Sequence, residues 1–238
     1  VLTGDHGESL GEHGEKTHGF FIYNATLHVP VIIHLPGAMT GQVATEMVSL
    51  TDLMPTVLQV LKVDVPANVQ GRNLAPLLAT KKEDDARNLY AETFLPRLHF
   101  NWSELRSVEK EKYQFIEAPK PELYDLVSDP GETRNLYSDK KAVAAELQLR
   151  LDELIHQYSA DQELAEKTGL DPALMERLKS LGYAGFSGGG NSTTHDKSLP
   201  DPKDRIAVYE LISDAIAESQ HGEYQDSTDK LVAALKTE

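Results

Sequence analysis

The feature that most constrains this sequence is a glycine- and histidine-rich opening motif, residues 3–18 (TGDHGESLGEHGEKTH). Two apolar residues, Val1 and Leu2, precede it and predict the end of a buried strand. The motif holds three histidines and four glycines among several carboxylates. Such side chains are metal ligands, and glycine lets backbone pass close to an ion. The motif therefore predicts a strand that leads into a metal or anion site.

The segments after the motif predict an α/β region. The apolar run at 29–37, bounded by prolines and a glycine, is typical of a short parallel strand buried on both faces. The periodic run at 53–61 predicts a helix, with Thr51 or Asp52 as its N-cap and Pro55 in its first turn.

A different pattern over 87–126 predicts a small antiparallel sheet. Its β-rich and roughly alternating segments lie at 89–94, 104–108, 112–117 and 123–126. Residues 110–112 predict a hairpin turn between the two middle segments. The predicted fold class is therefore α/β: part of a mixed, mostly parallel sheet with flanking helices, then the small antiparallel sheet.

The rest of the chain predicts helices and one linker. Apolar residues recur at helical spacing over 140–158, and a shorter helix is predicted at 171–181. We predict three parts: a domain at 1–183, a flexible linker at 184–202 and an all-helical tail at 203–238. The tail predicts helices at 205–220 and 223–236, and its Gly-x-Tyr turn is similar to that of a tetratricopeptide repeat, which indicates a protein partner.

Composition excludes several function classes. The net charge of −15 argues against nucleic acid or an anionic membrane surface as a partner, because both require a basic surface. The sequence has no cysteine, which removes disulfides and thiolate metal sites. No apolar run is long enough to span a membrane. An anionic substrate would need local positive charge from a metal ion or a histidine.

Several motifs in a fixed order give the sequence a resemblance to the carboxy-terminal portion of a sulfatase, in the alkaline phosphatase superfamily. They span roughly residues 1–138 and include GDHGE at 4–8, GEHG at 11–14, HG at 18–19, VPVII at 29–33, TDLMPT at 51–56, GRNL at 71–74, ELYDL at 122–126 and DP at 129–130. The resemblance implies the α/β domain and smaller antiparallel sheet described above.

The resemblance also implies site residues. Sulfatases hold a divalent ion, usually calcium, with two early aspartates and a later Asp-Asn or Asp-His pair, which Asp5 and His6 match. A histidine ligand favours manganese or zinc, so both remain alternatives to calcium. His18 matches the Lys or His that contacts the sulfate and the leaving-group oxygen. Glu8 and His13 are candidates for supporting these residues or shaping the loop.

The family's nucleophile is a formylglycine made within a Cys/Ser-x-Pro-x-Arg motif, and this sequence does not contain that motif. We therefore expect the chain to be part of a longer bacterial sulfatase, inactive by itself, whose nucleophile lies upstream. We expect a periplasmic or membrane-tethered location. The predicted reaction is metal-dependent hydrolysis of a sulfate ester. A phosphodiesterase or phosphonate hydrolase of the same superfamily and a protein-interaction scaffold remain alternatives.

Overall fold

The computed structural model describes residues 1–35, 41, 43–78, 87–159 and 198–237. Its larger sheet has four antiparallel strands whose spatial order follows their order in the chain. These strands are β3 (Asn88–Thr93), β4 (Leu105–Lys110), β5 (Tyr113–Glu117) and β6 (Glu122–Asp125). The predicted small antiparallel sheet is confirmed.

The turn between β4 and β5 is the predicted hairpin. Lys110 pairs with Tyr113, which leaves Glu111 and Lys112 as the two loop residues. Glu111 has a φ of 56°, in the left-handed region that tight hairpin turns require.

Alternating side chains of the sheet enter two separate hydrophobic clusters. Val108, Phe115 and Leu123 pack against helix α5 (Lys141–Ser159) on one face. Leu105, Ile116 and Tyr124 point to the other face and join a cluster that contains residues 20–23. Because each face is covered, the sheet separates α5 from the segment that follows the opening motif.

Two short strands flank the opening motif and correct the predicted strand pairing. β1 (Leu2–Thr3) pairs with β2 (Val31–Ile32) in antiparallel fashion, and within the described residues no parallel pair occurs. Ile32 is 60% exposed, so the described part of this apolar run, residues 29–35, is not buried on both faces. The prediction of a parallel strand relied on apolar composition, which does not encode strand direction.

The predicted helix after residue 52 is present as α2 (Leu53–Val60), and a 3₁₀ turn (Leu50–Asp52) leads into it. Asp52 takes the predicted N-cap position of α2, but its side chain makes no cap hydrogen bond to that helix. Ser49 caps the 3₁₀ turn, and the Asp52 side chain accepts the Ser49 backbone N–H at 2.8 Å to complete a capping box. The Asp52 carboxylate is fully buried and paired with Arg87.

Five further helices complete the described residues. They are α1 (Asn24–Leu27), α3 (Ala75–Leu78), α4 (Leu95–Phe100), α6 (Ile206–His221) and α7 (Tyr224–Leu235). The two helices predicted for the tail are confirmed as α6 and α7, and Gly222 joins them with a φ of 84°. No helix of the described chain is long and apolar enough to cross a bilayer.

The C-terminal helices lie against the sheet. Val208 and Ala234 are buried in the same cluster as residues 20–23, Leu105 and Ile116. Pro200, within the segment predicted as linker, accepts the Ser103 backbone N–H at 2.9 Å, and Asp201 is 4% exposed. The predicted helix at 171–181 and most of the predicted linker lie outside the described residues.

Candidate active site

Gly7 fixes the path of the opening motif beside α1. Its backbone N–H donates to the Thr26 carbonyl at 2.8 Å. A Cβ at position 7 would lie 2.2 Å from the Ala25 carbonyl oxygen, a distance that no side chain tolerates. Glycine is therefore required here, and the contact places His6 and Glu8 on either side of a fixed backbone position.

Backbone pairing within the motif then brings its two ends together. The Ser9 N–H donates to the Thr17 carbonyl at 2.8 Å, and the Gly11 N–H donates to the Glu15 carbonyl at 2.9 Å. Since Glu8 precedes the first of these bonds and His18 follows it, the pairing sets the two side chains against each other. His18 Nδ1 lies 3.0 Å from Glu8 Oε2.

His6 completes this cluster. Its imidazole stacks on that of His18 with ring centroids 3.8 Å apart. His6 Nδ1 lies 2.8 Å from the Gly7 carbonyl oxygen, which requires a proton on Nδ1 and leaves Nε2 as a lone-pair donor. Nε2 lies 3.8 Å from Asp5 Oδ1. Ligand atoms of His6, Glu8 and His18 all lie within 4.8 Å of one another.

All four residues of this cluster face solvent. The Asp5 side chain is 92% exposed, whereas those of His6, Glu8 and His18 are about half exposed. A ligand can therefore reach the carboxylate of Asp5 and the free nitrogens of both rings. The structure thus brings together four of the five residues predicted for the site.

The fifth predicted residue, His13, lies elsewhere. Its ring stacks on Tyr23 with centroids 3.6 Å apart, and its own backbone has a φ of 55°. Burial lowers the pKa of the His13 imidazole below its ordinary value. His13 therefore contacts the aromatic segment rather than the cluster of His6 and His18.

Glu15 also belongs to this region, although no sequence pattern singled it out. Its carboxylate is 1% exposed and accepts the backbone N–H groups of Phe20 and Phe21 at 2.8 and 3.1 Å. Burial raises the pKa of the Glu15 carboxyl, and the two N–H donors partly offset that rise. Glu15 thus holds the backbone that follows His18.

Thr93 was also missed, and it links the larger sheet to the site. Its hydroxyl, at the end of β3, donates to the Gly19 carbonyl oxygen at 2.5 Å. Gly19 directly follows His18 and has a φ of 94°. Neither Glu15 nor Thr93 belongs to a local pattern, because each acts on residues that only the folded chain brings near.

The family of this chain follows from its match to a known protein family. Residues 11–160 match the family described as N-sulphoglucosamine sulphohydrolase, C-terminal. The chain belongs to this sulfatase family. The match covers more than half of the chain and contains His13 and His18, while Asp5 and His6 lie just before it.

Curated relatives of this chain are also named as sulfatases. Arylsulfatase K from Bos taurus is 29% identical over 188 residues, which cover 71% of this chain and 35% of the relative. The Δ4,5-hexuronate-2-O-sulfatase of Bacteroides thetaiotaomicron is 28% identical over 198 residues, covering 80% of this chain and 40% of that enzyme. The chain therefore spans well under half the length of either sulfatase.

Solved structures agree with the sulfatase family assignment. A sulfatase-like protein of Bacteroides thetaiotaomicron superposes with a TM-score of 0.59 at 28% identity, over 73% of this chain and 39% of that one. The phosphonate monoester hydrolase of Silicibacter pomeroyi superposes with a TM-score of 0.53 at 27% identity, over 66% and 34% of the two chains. Proteins with two ester specificities thus share this fold.

The donor set of this sulfatase-family chain fits a divalent ion. Ligand atoms lie about 2.0–2.6 Å from such ions in proteins, so two atoms 3.8 Å apart, Asp5 Oδ1 and His6 Nε2, can bind the same one. Asp5 supplies negative charge and His6 a neutral nitrogen. Glu8 offers a further carboxylate, although its contact with His18 already uses one oxygen.

Proposed function

We propose that the full-length protein containing this chain hydrolyses sulfate esters with the help of a divalent ion. The observation that carries this proposal is the cluster of His6 and His18, stacked and open to solvent, in a chain of the sulfatase family. One imidazole is placed next to Asp5 for ion binding, and the other is placed next to Glu8 for proton transfer.

Asp5 and His6 are the proposed ion ligands of this chain. Calcium is the ion that the family favours, whereas the His6 nitrogen favours manganese or zinc. A bound ion would polarise the nonbridging oxygens of the ester and neutralise part of its charge. A chain of net charge −15 repels an anionic substrate, and the positive charge of the ion would offset that repulsion locally.

His18 is the proposed acid that faces the substrate. An ionised Glu8 carboxylate can only accept a hydrogen bond, so the 3.0 Å contact places a proton on His18 Nδ1. That contact orients the ring, and once Nε2 has bound a second proton, the imidazolium donates this proton to the leaving oxygen and returns to the neutral ring. The proposed nucleophile, a formylglycine, lies outside this sequence.

The test changes His18 to Ala in the full-length protein, with His28→Ala as the matched control. His28 is exposed at the end of α1 and lies outside the cluster. We expect kcat on 4-nitrocatechol sulfate to fall about 10²- to 10⁴-fold in His18→Ala, the usual contribution of a general acid. Ion content, measured by mass spectrometry, should stay close to that of the wild type.

Two outcomes would contradict these roles. Equal loss of activity and ion content in His18→Ala would make His18 an ion ligand. Unchanged activity would remove it from the reaction altogether. His28→Ala should leave both quantities unchanged, because its ring contacts neither Asp5 nor His6.

A phosphonate monoesterase is the second candidate, favoured by the superposition on the Silicibacter pomeroyi enzyme. The two ester classes need the same ion and the same acid, so the cluster of His6 and His18 does not separate them. Parallel assays with an aryl sulfate and a phenyl phosphonate monoester decide between them. We expect the larger kcat/KM for the sulfate.

A further inference from the structure

We propose that helix α6, nearly two hundred residues away in sequence, positions His18 by holding the backbone on both sides of it. The proposal rests on the role proposed for His18 and adds Tyr209 and Glu210 as positioning residues. Two groups of contacts carry it, one on the residues before His18 and one on the residues after it.

The first group is polar and lies before His18. Glu210 accepts the backbone N–H of Lys16 at 3.2 Å, and its other carboxylate oxygen lies 3.2 Å from Lys16 Nζ. Asp214, one helical turn further along α6, receives the same ammonium at 3.0 Å. The Glu210 side chain is 13% exposed, whereas that of Lys16 is 55% exposed, so solvent still screens the ion pair. The hydrogen bond from the Lys16 backbone N–H to Glu210 is therefore the contact that constrains the loop.

Charges on α7 support this arrangement. Lys230 lies 3.8 Å from Asp214 and also pairs with Glu218 of α6. A cation of the second helix thus lies beside Asp214, one of the two carboxylates that contact Lys16. Lys230 therefore links α7 to the part of α6 that meets the loop.

The second group of contacts is apolar, and its main contact is with Phe20, after His18. The Tyr209 ring stacks on Phe20 with centroids 4.4 Å apart, and Phe20 is fully buried. On the other side of the loop, the Ile206 side chain lies against Gly14, where a Cβ would meet it at 3.3 Å. Burial raises the pKa of the Tyr209 hydroxyl.

These contacts fall on Lys16 and Phe20, which lie two residues before and two residues after His18. Thr17, next to Lys16, provides the carbonyl acceptor that aligns Glu8. A displacement of about 1 Å in a catalytic group can reduce a rate 10²-fold. Loss of the α6 contacts should therefore lower turnover without removing any group that touches substrate.

The experiment uses the full-length protein with Glu210→Ala, its conservative partner Glu210→Gln, and Glu223→Ala as control. Glu223 is an exposed residue at the junction of α6 and α7. Amide hydrogen exchange over residues 9–20 reports loop order, and steady-state kinetics on 4-nitrocatechol sulfate report turnover. Tyr209→Ala and Tyr209→Phe test the apolar contact in the same two assays.

In Glu210→Ala we expect faster exchange over 9–20, a kcat about tenfold lower and a KM within about twofold of wild type. Glu210→Gln should restore both readouts, because its amide oxygen still accepts the Lys16 N–H. Tyr209→Phe should behave as wild type, since it keeps the stacked ring, whereas Tyr209→Ala should resemble Glu210→Ala.

If folded Glu210→Ala and Tyr209→Ala exchange as slowly as the wild type, the α6 contacts do not order the loop. If exchange becomes faster while kcat is unchanged, the contacts order the loop but do not position His18 for turnover. If the wild type does not cleave the sulfate ester while Glu210→Ala still exchanges faster, the proposed function fails and the contact of α6 with the loop stands. The exchange and kinetic readouts therefore separate the two proposals.

Discussion

Glu132 should make the stability of this protein depend on pH near neutrality. Its side chain is 2% exposed, and Oε2 accepts the Asn24 backbone N–H at 2.7 Å at the start of α1. Oε1 is buried without a hydrogen-bond partner among the described residues. Burial raises the pKa of Glu132 from 4.5 to about 7, and the nearby carboxylates of Glu122, Glu109 and Asp129 act in the same direction.

The size of the effect follows from that change in pKa. Below pH 4.5 the group is protonated in both the folded and the unfolded chain, so it carries no penalty. As the pH rises towards 7, the unfolded chain releases the proton first, and stability is lost progressively. The loss is on the order of 3 kcal/mol once the pH exceeds the folded-state pKa, at about 1.4 kcal/mol per unit.

Glu132→Gln removes this titration while keeping an oxygen for the Asn24 N–H. Unfolding free energies from urea titrations at pH 4.5 and pH 8 give the variant-minus-wild-type difference at each pH. We expect that difference to become more stabilising by a few kcal/mol at the higher pH. A difference that is the same at both pH values would refute the reasoning.

The control for this experiment is Glu111→Gln. Glu111 shares the unusual positive φ, 56° against 54° for Glu132, but its side chain is exposed in the β4–β5 hairpin. Any effect of replacing a glutamate at a left-handed backbone position is therefore common to both variants. Only the buried carboxylate should show the pH dependence.

Three further predictions concern the opening motif. Gly7→Ala should destabilise the fold by about 1–3 kcal/mol or more in thermal unfolding, because its Cβ would lie 2.2 Å from a backbone oxygen. The control Gly41→Ala should not destabilise it, because position 41 has open space around it. His6→Ala should lower divalent-ion affinity about tenfold or more in equilibrium dialysis, with His28→Ala unchanged. Residues 1–238 alone should show no turnover of 4-nitrocatechol sulfate, and measurable turnover would contradict an upstream nucleophile.

The larger sheet was predictable because its information is local. β-rich segments recur over 87–126, and the turn residues lie between them, so strand order and antiparallel direction follow from short connections. The apolar run at 29–37 had no such neighbour in sequence. Its composition predicted a strand, but its pairing with Leu2–Thr3 depends on a contact about thirty residues away.

The cluster of His6 and His18 was predicted in part because its residues, too, lie close together in the sequence. The motif places its donors within a single short segment, so the sequence indicates their chemistry. Which donors meet was decided by backbone pairing at Ser9 and Thr17, which turns Glu8 rather than His13 towards His18. Periodicity and composition carry no information about that pairing.

The position of α6 lay beyond sequence analysis because an apolar helical stripe fits many partners. Val208 and Tyr209 would suit packing against another helical repeat as well as against Phe20. The tetratricopeptide-like character of the tail remains a prediction. The contacts with Lys16 show that one face of this helix pair is already used within the chain, so a protein partner of the tail would bind another face.

Several acidic residues of the folded chain are buried and act as hydrogen-bond acceptors. Glu15 and Glu132 are buried acceptors of backbone N–H groups, while Glu122 accepts the hydroxyls of Tyr23 and Tyr124. Because burial raises the pKa of Glu132 to about 7, this carboxyl is partly protonated near neutral pH, and the formal charge of −15 slightly overstates the negative charge of the folded chain. Glu15 thus holds the backbone beside His18, so part of the acidic composition of this region supports the cluster of His6 and His18.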